Sequence, residues 1–91
     1  MKTFIVFCKD KENSLKKRLD NRDEHLQYLK NNKDKLLMAG PILNNDDTPK
    51  GSVLILRFKT KDDLKNFLKE DPYVQVDLFE EVTIEVFKKV F

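Results

Sequence analysis

The stretches KTFIVFC (residues 2–8) and SVLILRF (residues 52–58) decide the fold of this chain. Both are rich in β-branched and aromatic side chains and lack Gly and Pro, a composition typical of strands. A strand with one wet face alternates apolar and polar residues, but residues 4–7 and 53–56 are apolar without interruption. We therefore expect two strands that are apolar on both faces of a sheet.

A long helix is expected between the first strand and residue 32. Its apolar stripe recurs at helical spacing and consists of Leu15, Leu19, Leu26 and Leu29. Asn13 or Ser14 is the expected N-cap. Asp20 and Asn21 are able to interrupt the helix, because both side chains bond to nearby backbone groups.

The second half of the chain repeats the strand and helix signals. LLMAGPIL (residues 36–43) is strand-like as far as Gly40-Pro41, and a turn-rich connection follows it. Residues 61–70 carry apolar side chains at helical spacing, with Thr60 as the expected N-cap. Asp71-Pro72 ends this helix, since the residue before a proline disfavours the α conformation.

Residues 82–91 complete the set with a strand in which apolar and polar side chains alternate. The order of elements is then βαββαβ, the ferredoxin-like α+β arrangement of a four-stranded antiparallel sheet with two helices on one face. We expect a single domain over residues 1–91. Small domains rarely leave an apolar sheet face in water, so we expect a homodimer that packs sheet to sheet. The alternative is a face that is merely more apolar than average.

Composition and charge exclude several classes of function. The chain has 91 residues, with 18 Lys and Arg against 16 Asp and Glu, and its net charge of +2 gives no electrostatic case for nucleic acid or a membrane surface. No apolar run is long enough for a membrane span or a signal peptide, so we expect a cytoplasmic protein. One cysteine and one histidine do not make a zinc site. Two glycines do not make a phosphate-binding loop, and no metal or cofactor is expected.

The RNA-recognition motif has the same βαββαβ order. KGSVLILRF (residues 50–58) opens with Lys-Gly and ends with Phe, as the central-strand motif of that domain does. Its stacking positions hold Ser52 and Leu54 instead of aromatic residues, so the platform for bases is missing. RNA binding is therefore not expected.

His25 and Asp71 are the residues most suited to proton transfer. Imidazole exchanges protons near neutral pH, and a carboxylate is able to orient it. A lone histidine is also often a partly buried surface residue, and Asp before Pro is a favoured helix start in which the aspartate is the N-cap. A cap and an imidazole contact are compatible, so both interpretations stay open. Cys8 is expected to be a small apolar core residue.

Five segments together resemble the YciI (YCII-related) family. They occur in order along the chain: SLKKRLDNRDEHLQYL (residues 14–29), LLMAGP (36–41), GS (51–52), DPYV (71–74) and VFKKVF (86–91). The resemblance implies the ferredoxin-like dimeric α+β barrel fold, akin to muconolactone isomerases. It also implies a catalytic pair that falls on His25 and Asp71, in a family that includes a dehydrochlorinase of a chlorinated hydroxyquinol. Two features differ from some relatives: the loop at residues 44–50 is shorter, and Asp23 follows Arg22 where those relatives have proline.

The resulting hypothesis is a small homodimeric enzyme with a pocket between the sheet and the first helix. His25 is the general acid and base, and Asp71 accepts its other N–H. The expected substrate-binding residues are Arg18 and Arg22, for an anionic or phenolic group, and Ser52 and Tyr73, for hydroxyl contacts. The reaction would be elimination or isomerisation of a small cyclic or enolisable molecule without metal or cofactor. The alternatives are a non-catalytic dimeric module that binds a small ligand or docks on a partner, and a purely structural dimerisation protein.

Overall fold

The computed structural model describes residues 1–91 and contains four strands and four helices. In chain order they are β1 (Lys2–Asp10), α1 (Leu15–Asp20), α2 (Arg22–Asn31), β2 (Leu36–Leu43), β3 (Pro49–Phe58), α3 (Lys61–Lys69), α4 (Pro72–Gln75) and β4 (Phe79–Phe87). No helix is long and apolar enough to cross a membrane.

The four strands form one antiparallel sheet in the order β2-β3-β1-β4. The central strands are β1 and β3, which contain the uninterrupted apolar runs at residues 4–7 and 53–56. Val6 of β1 lies opposite Leu54 of β3 on one side and Ile84 of β4 on the other, so these three side chains share one face of the sheet. This topology confirms the predicted ferredoxin-like α+β fold.

The core lies between the helices and one face of the sheet. Ten buried residues form it: Phe4, Val6, Cys8, Leu29, Leu54, Leu56, Phe58, Leu64, Phe67 and Leu68. Most of them come from β1, β3 and α3, and Cys8 is among them as predicted. The edge strands contribute only partly buried residues such as Leu36 and Ile84.

The predicted long helix is divided at Asn21 into α1 and α2. The side-chain amide of Asn21 donates a hydrogen bond to the carbonyl oxygen of Lys17 at 2.8 Å, which is the backbone competition expected there. Ser14 occupies the N-cap position of α1, but its hydroxyl donates to the carbonyl of Glu12 and does not cap the helix.

The predicted apolar stripe on this helix contributes only one of its four leucines to the core. Leu29 is buried, whereas Leu15, Leu19 and Leu26 are 41%, 54% and 42% exposed. Arg18, His25 and Leu29 are spaced seven and four residues apart, so they share one side of the helical segment across the break at Asn21. The buried residues of α1 and α2 are Arg18, His25 and Leu29, so polar groups replace leucines against the sheet.

The second helical region follows the sequence more closely. Thr60 caps α3, because its hydroxyl oxygen accepts the backbone N–H of Asp63 at 3.1 Å. Strand β4 ends at Phe87, earlier than predicted. Its helix-facing valines, Val82 and Val86, are 42% and 67% exposed, since β4 is an edge strand that the helices leave largely uncovered.

The central part of the sheet face opposite the helices is apolar, as the two uninterrupted stretches predict. Along the central strands this outer face carries Ile5, Phe7, Val53 and Ile55, of which Phe7 is exposed and the others are half-buried. Met38 on β2 extends the apolar area and is 63% exposed. We call these five residues the outer apolar face.

Candidate functional site

A cavity of about 420 Å³ lies on the helix side of the sheet, beside α1, α2, β2 and β3. Its apolar wall includes Leu19, Leu26, Ala39, Pro41 and Leu43. Its polar lining consists of Arg18, Arg22, His25, Asp47, Ser52 and Tyr73. The structure therefore brings together five of the six predicted site residues around one cavity, and the sixth, Asp71, lies behind His25.

His25 and Asp71 form a buried hydrogen-bonded pair. The Nδ1 atom of His25 lies 2.8 Å from Oδ1 of Asp71, and the two side chains are 8% and 2% exposed. An ionised carboxylate only accepts hydrogen bonds, so Nδ1 carries the proton. The other ring nitrogen, Nε2, has no hydrogen-bond partner in the chain. In the neutral ring Nε2 is therefore the basic nitrogen, on a residue that lines the cavity.

Asp71 is also the N-cap of α4, as one of the two interpretations predicts. Its Oδ1 atom accepts the backbone N–H of Tyr73 at 2.9 Å, and Pro72 occupies the first helical position. The cap and the imidazole contact coexist, but both use the same oxygen. The short helix thereby fixes the carboxylate against the imidazole.

Tyr73 is packed between the His25 imidazole and the Arg18 guanidinium. Its ring stacks on His25 with centroids 3.9 Å apart and an interplanar angle of 14°. The guanidinium carbon of Arg18 lies 4.7 Å from the same ring centroid, a cation–π distance. Burial raises the pKa of the Tyr73 phenol, against the opposing effect of Arg18, so the hydroxyl stays protonated at neutral pH. Tyr73 thus helps to hold the imidazole plane in place.

Arg18 is held by a partner that the sequence interpretation missed. Asp10, the last residue of β1, accepts from Nε of Arg18 at 2.6 Å and from Nη2 at 2.8 Å. Nη2 also donates to the Ser52 hydroxyl at 2.9 Å. Burial opposes the charge of Arg18, but the hydrogen bonds to Asp10 and its charge prevail and raise the pKa of the guanidinium. The Arg18 charge is thus neutralised inside the protein.

Arg22 differs from Arg18 although both were predicted to hold the substrate. It lies at the start of α2, is exposed, and lines the cavity. It takes part in none of the ion pairs of the structure. Arg22 is therefore the cavity cation whose charge is available to a ligand.

Cys8 lies on β1 directly opposite Ser52 of β3 and is buried. Burial, together with the charge of Asp71, raises the pKa of its thiol to about 12. A thiol with this pKa holds its proton at neutral pH and is a poor nucleophile. Cys8 therefore serves packing and is not a candidate nucleophile.

A second cavity of about 600 Å³ is larger but chemically poorer. It lies near the β1–α1 connection and the β2–β3 hairpin, and it is lined mainly by exposed charged and polar residues such as Lys11, Glu12 and Lys50. It contains no histidine. No group of three or more His, Cys, Asp or Glu side chains anywhere in the structure is arranged to hold a metal ion.

Fold and site together define a class of protein: a ferredoxin-like α+β domain with a buried histidine–aspartate pair beside a cavity. The model of the YCII-related domain matches residues 2–88. The chain belongs to the YCII-related family.

Individual relatives agree with this assignment along almost the whole chain. A protein of Haemophilus influenzae is 35% identical over 96 aligned positions, which cover 97% of this chain and 98% of the relative. Protein YciI of Escherichia coli is 33% identical with the same coverage.

Solved structures share the fold of this chain. The 5-chloro-2-hydroxyhydroquinone dehydrochlorinase of Burkholderia phenoliruptrix, in complex with 2,5-dihydroxybenzoquinone, is 33% identical with a TM-score of 0.88. The match covers 94% of this chain and 93% of the dehydrochlorinase. A NIPSNAP family protein of Agrobacterium tumefaciens shares the fold at 13% identity, with a TM-score of 0.59 and coverage of 97% and 91%.

Proposed function

We propose that this protein is an acid–base enzyme in which His25 transfers a proton during elimination or isomerisation of a small cyclic or enolisable molecule. The single observation that carries the proposal is the His25–Asp71 contact, with Nδ1 bound to a buried carboxylate and Nε2 left without a protein partner on a cavity-lining ring. A general base needs this combination of a fixed orientation and a free lone pair.

The rest of the cavity suits a small ring that carries oxygen substituents. Leucine and proline side chains provide an apolar wall, while Arg22 offers a positive charge to a phenolate or carboxylate. The similarity to a dehydrochlorinase crystallised with a dihydroxybenzoquinone supports the same substrate class. We therefore propose phenolic or enolisable rings as substrates.

The proposed elimination balances without an added cofactor. Nε2 of His25 takes a proton from the substrate, and the electron pair of that bond forms a new π bond in the ring. The leaving group, such as a halide, departs with its own bonding electrons. The imidazolium that results is stabilised by the carboxylate of Asp71 and returns its proton to water.

Substitution of His25 tests the proposal. With 5-chloro-2-hydroxyhydroquinone as the first substrate, together with other halogenated phenols and enolisable ketones, we expect His25→Gln to lower kcat by about 10²- to 10⁴-fold. Gln27→Ala, a change on the exposed side of the same helix, is the matched control and should leave kcat unchanged. Equal turnover by native protein and His25→Gln would contradict the proposal.

Two substitutions of Asp71 distinguish its role as the helix cap from its proposed role beside His25. Asn is as good an N-cap as Asp, so Asp71→Asn should keep the stability of α4 while it removes the charge that supports the imidazolium. Asp71→Ala removes both, at a further cost of about 1 kcal/mol of unfolding free energy. If the native protein and Asp71→Asn have equal kcat, Asp71 acts only as the N-cap of α4.

The non-catalytic alternative uses the same cavity and is distinguished by the fate of the bound molecule. If a compound binds with an affinity that depends on His25 and Arg22 but is recovered chemically unaltered, the protein is a ligand-binding module. Product formation by native protein excludes this alternative.

We further propose a homodimer that covers the outer apolar face. The accessible surface of the chain is 6362 Å², whereas a folded monomeric chain of 10.8 kDa exposes roughly 5,500 Å². The excess is close to the ~800 Å² that each partner buries in a standard interface. Cross-strand neighbours of opposite charge, Lys9 and Glu81, lie at the margin of this face. A two-fold axis could bring such charges of opposite sign together, which favours a second copy as the partner.

A cytoplasmic location is the last part of the proposal. Small secreted domains commonly depend on disulfides, whereas this chain has a single cysteine that is free and buried. The core is built from apolar packing alone, which suits a reducing compartment.

A further inference from the structure

We propose that Asp10 is a positioning residue which acts through Arg18 to fix the Ser52 hydroxyl as a hydrogen-bond donor to a substrate oxygen. This inference deepens the proposed function and rests on it. It adds that the substrate presents a carbonyl, phenol or phenolate oxygen to the sheet side of the cavity.

The Asp10–Arg18 pair has a fixed geometry. Both carboxylate oxygens of Asp10 are used, with Oδ2 bound by Nε at 2.6 Å and Oδ1 bound by Nη2 at 2.8 Å. The Arg18 and Asp10 side chains are 4% and 6% exposed, respectively. A two-point contact between a planar guanidinium and a carboxylate fixes orientation as well as distance. Arg18 is therefore held in place, and the Arg18–Asp10 pair has no net charge.

The hydrogen bond between Arg18 and Ser52 has only one possible direction. A guanidinium only donates, so Nη2 uses a lone pair of the Ser52 oxygen at 2.9 Å. This is the only hydrogen bond of the Ser52 side chain in the structure. Its own O–H therefore has no acceptor in the protein, although Ser52 is buried and lines the cavity. A buried hydroxyl proton without an acceptor needs one from a bound molecule or water.

The geometry of β1 and β3 brings Asp10, Arg18 and Ser52 together. A Cβ added at Gly51 would overlap the backbone carbonyl oxygen of Cys8. Glycine thus lets β3 approach β1 closely beside Ser52. Asp10 follows two residues after Cys8, so the end of β1 supplies the carboxylate that holds Arg18 against Ser52.

The two arginines of the cavity lining therefore differ in their chemistry. Arg22 has an available positive charge, whereas Arg18 is neutralised and works through Ser52. When a base removes a proton from an enolisable ring, negative charge develops on the ring oxygen. A pre-oriented hydroxyl that is itself bonded to a guanidinium stabilises this charge. The site therefore selects rings with an acceptor oxygen opposite Ser52.

The test uses 2,5-dihydroxybenzoquinone as the probe, because its visible absorption responds to hydrogen bonds on its oxygens. We expect Ser52→Ala to weaken its binding about tenfold and to shift the absorption of the bound quinone. Ser52→Thr retains the hydroxyl and should restore both. Asp10→Asn should reproduce the Ser52→Ala effect, whereas Asp20→Asn, a matched change at an exposed ion pair with Lys16, should leave binding unchanged.

The decisive measurement is a double-mutant cycle. If Asp10 acts through Ser52, the double variant Asp10→Asn/Ser52→Ala binds the probe no more weakly than Ser52→Ala. Independent, additive losses would overturn the inference, and so would an unchanged affinity in either single variant or a native protein that fails to bind the quinone. If Asp10→Asn does not fold, Asp10→Asn/Arg18→Gln removes the buried charge as well and should show the Ser52→Ala affinity.

The inference and the proposed function fail in different ways. Turnover that is unaffected by His25→Gln defeats the function, whatever Ser52 does to binding. Turnover that depends on His25, combined with quinone binding that is indifferent to Ser52, defeats only the inference.

Discussion

At the scale of single residues, one oxygen atom joins the helix cap to the site. Oδ1 of Asp71 accepts both the N–H of Tyr73 and the Nδ1–H of His25. The ring of Tyr73 then stacks on that same imidazole. Because the cap fixes the start of α4, it also fixes the carboxylate and the aromatic face that hold His25.

The sequence singled out His25 and Asp71, and the family resemblance implied their pairing, but neither indicated the support of Arg18. His25 is the only histidine, and DPY is a recognisable helix start. Asp10 lies just beyond the predicted end of the first strand, in a run of charged residues that is typical of a solvated loop. Only the extension of β1 to Asp10 places its carboxylate beside Arg18.

Cys8 gives a pH prediction at the same scale. The pKa of its thiol is about 12 in the folded protein, against an ordinary value of 9.0 in the unfolded chain. Between these values the unfolded chain binds fewer protons, so its ionisation favours unfolding and stability falls as pH rises above 9. This group should cost roughly 1 kcal/mol between pH 7 and pH 10.

Urea unfolding at these two pH values measures the effect. Cys8→Ala should lose less stability than the native protein over the same interval, whatever its stability at pH 7. Burial also raises the pKa of Tyr28 and Tyr73, so part of the alkaline loss persists in the variant. Identical losses in both proteins would show that the thiol does not contribute.

At the scale of elements, the strands were predicted well and the first helix poorly. Strong β propensity placed β1 and β3, because packing on both faces leaves little choice of side chain. The leucine stripe misled because hydrophobic periodicity does not show that the adjacent side of the helices, which carries Arg18 and His25, is the side that packs on the sheet. Its exposed leucines include Leu19 and Leu26, which line the cavity, so the stripe marks the site in place of the core.

The close approach of β3 to β1 yields a prediction with an internal control. Gly51→Ala places a Cβ against the backbone of Cys8, which cannot move aside as a side chain would. We expect a loss of about 1–3 kcal/mol in unfolding free energy. Gly40→Ala adds a methyl group with nothing within 4 Å and should change stability by less than about 0.5 kcal/mol.

Thermal or urea unfolding of the two alanine variants makes the comparison. Because Gly51 precedes Ser52, its variant should also weaken binding of 2,5-dihydroxybenzoquinone. Equal stability of the two variants would mean that the strands accommodate the methyl group.

At the scale of the whole molecule, the proposed dimer is tested by a charge at the centre of the outer apolar face. Ile55 lies opposite Ile5 in the middle of the sheet. We expect Ile55→Glu to convert a dimer to a monomer in light scattering, because burial of an unpaired carboxylate in an interface is costly. Val86→Glu, on an exposed position of the helix-facing side of β4, is the control and should leave the mass unchanged. A native protein that is monomeric at micromolar concentration would contradict the dimer.

The two faces of the sheet are occupied by different tasks. The cavity and its polar groups lie with the helices, whereas the outer apolar face lies on the other side. Strand alternation separates neighbouring residues between the two faces: Leu54 lines the cavity and Ile55 belongs to the outer apolar face. The two proposals together therefore predict that mutations in the cavity leave the proposed dimer intact, and that mutations in the outer apolar face leave the cavity unchanged. A scaffold divided in this way can change its ligand over evolutionary time while the proposed subunit contact is inherited intact.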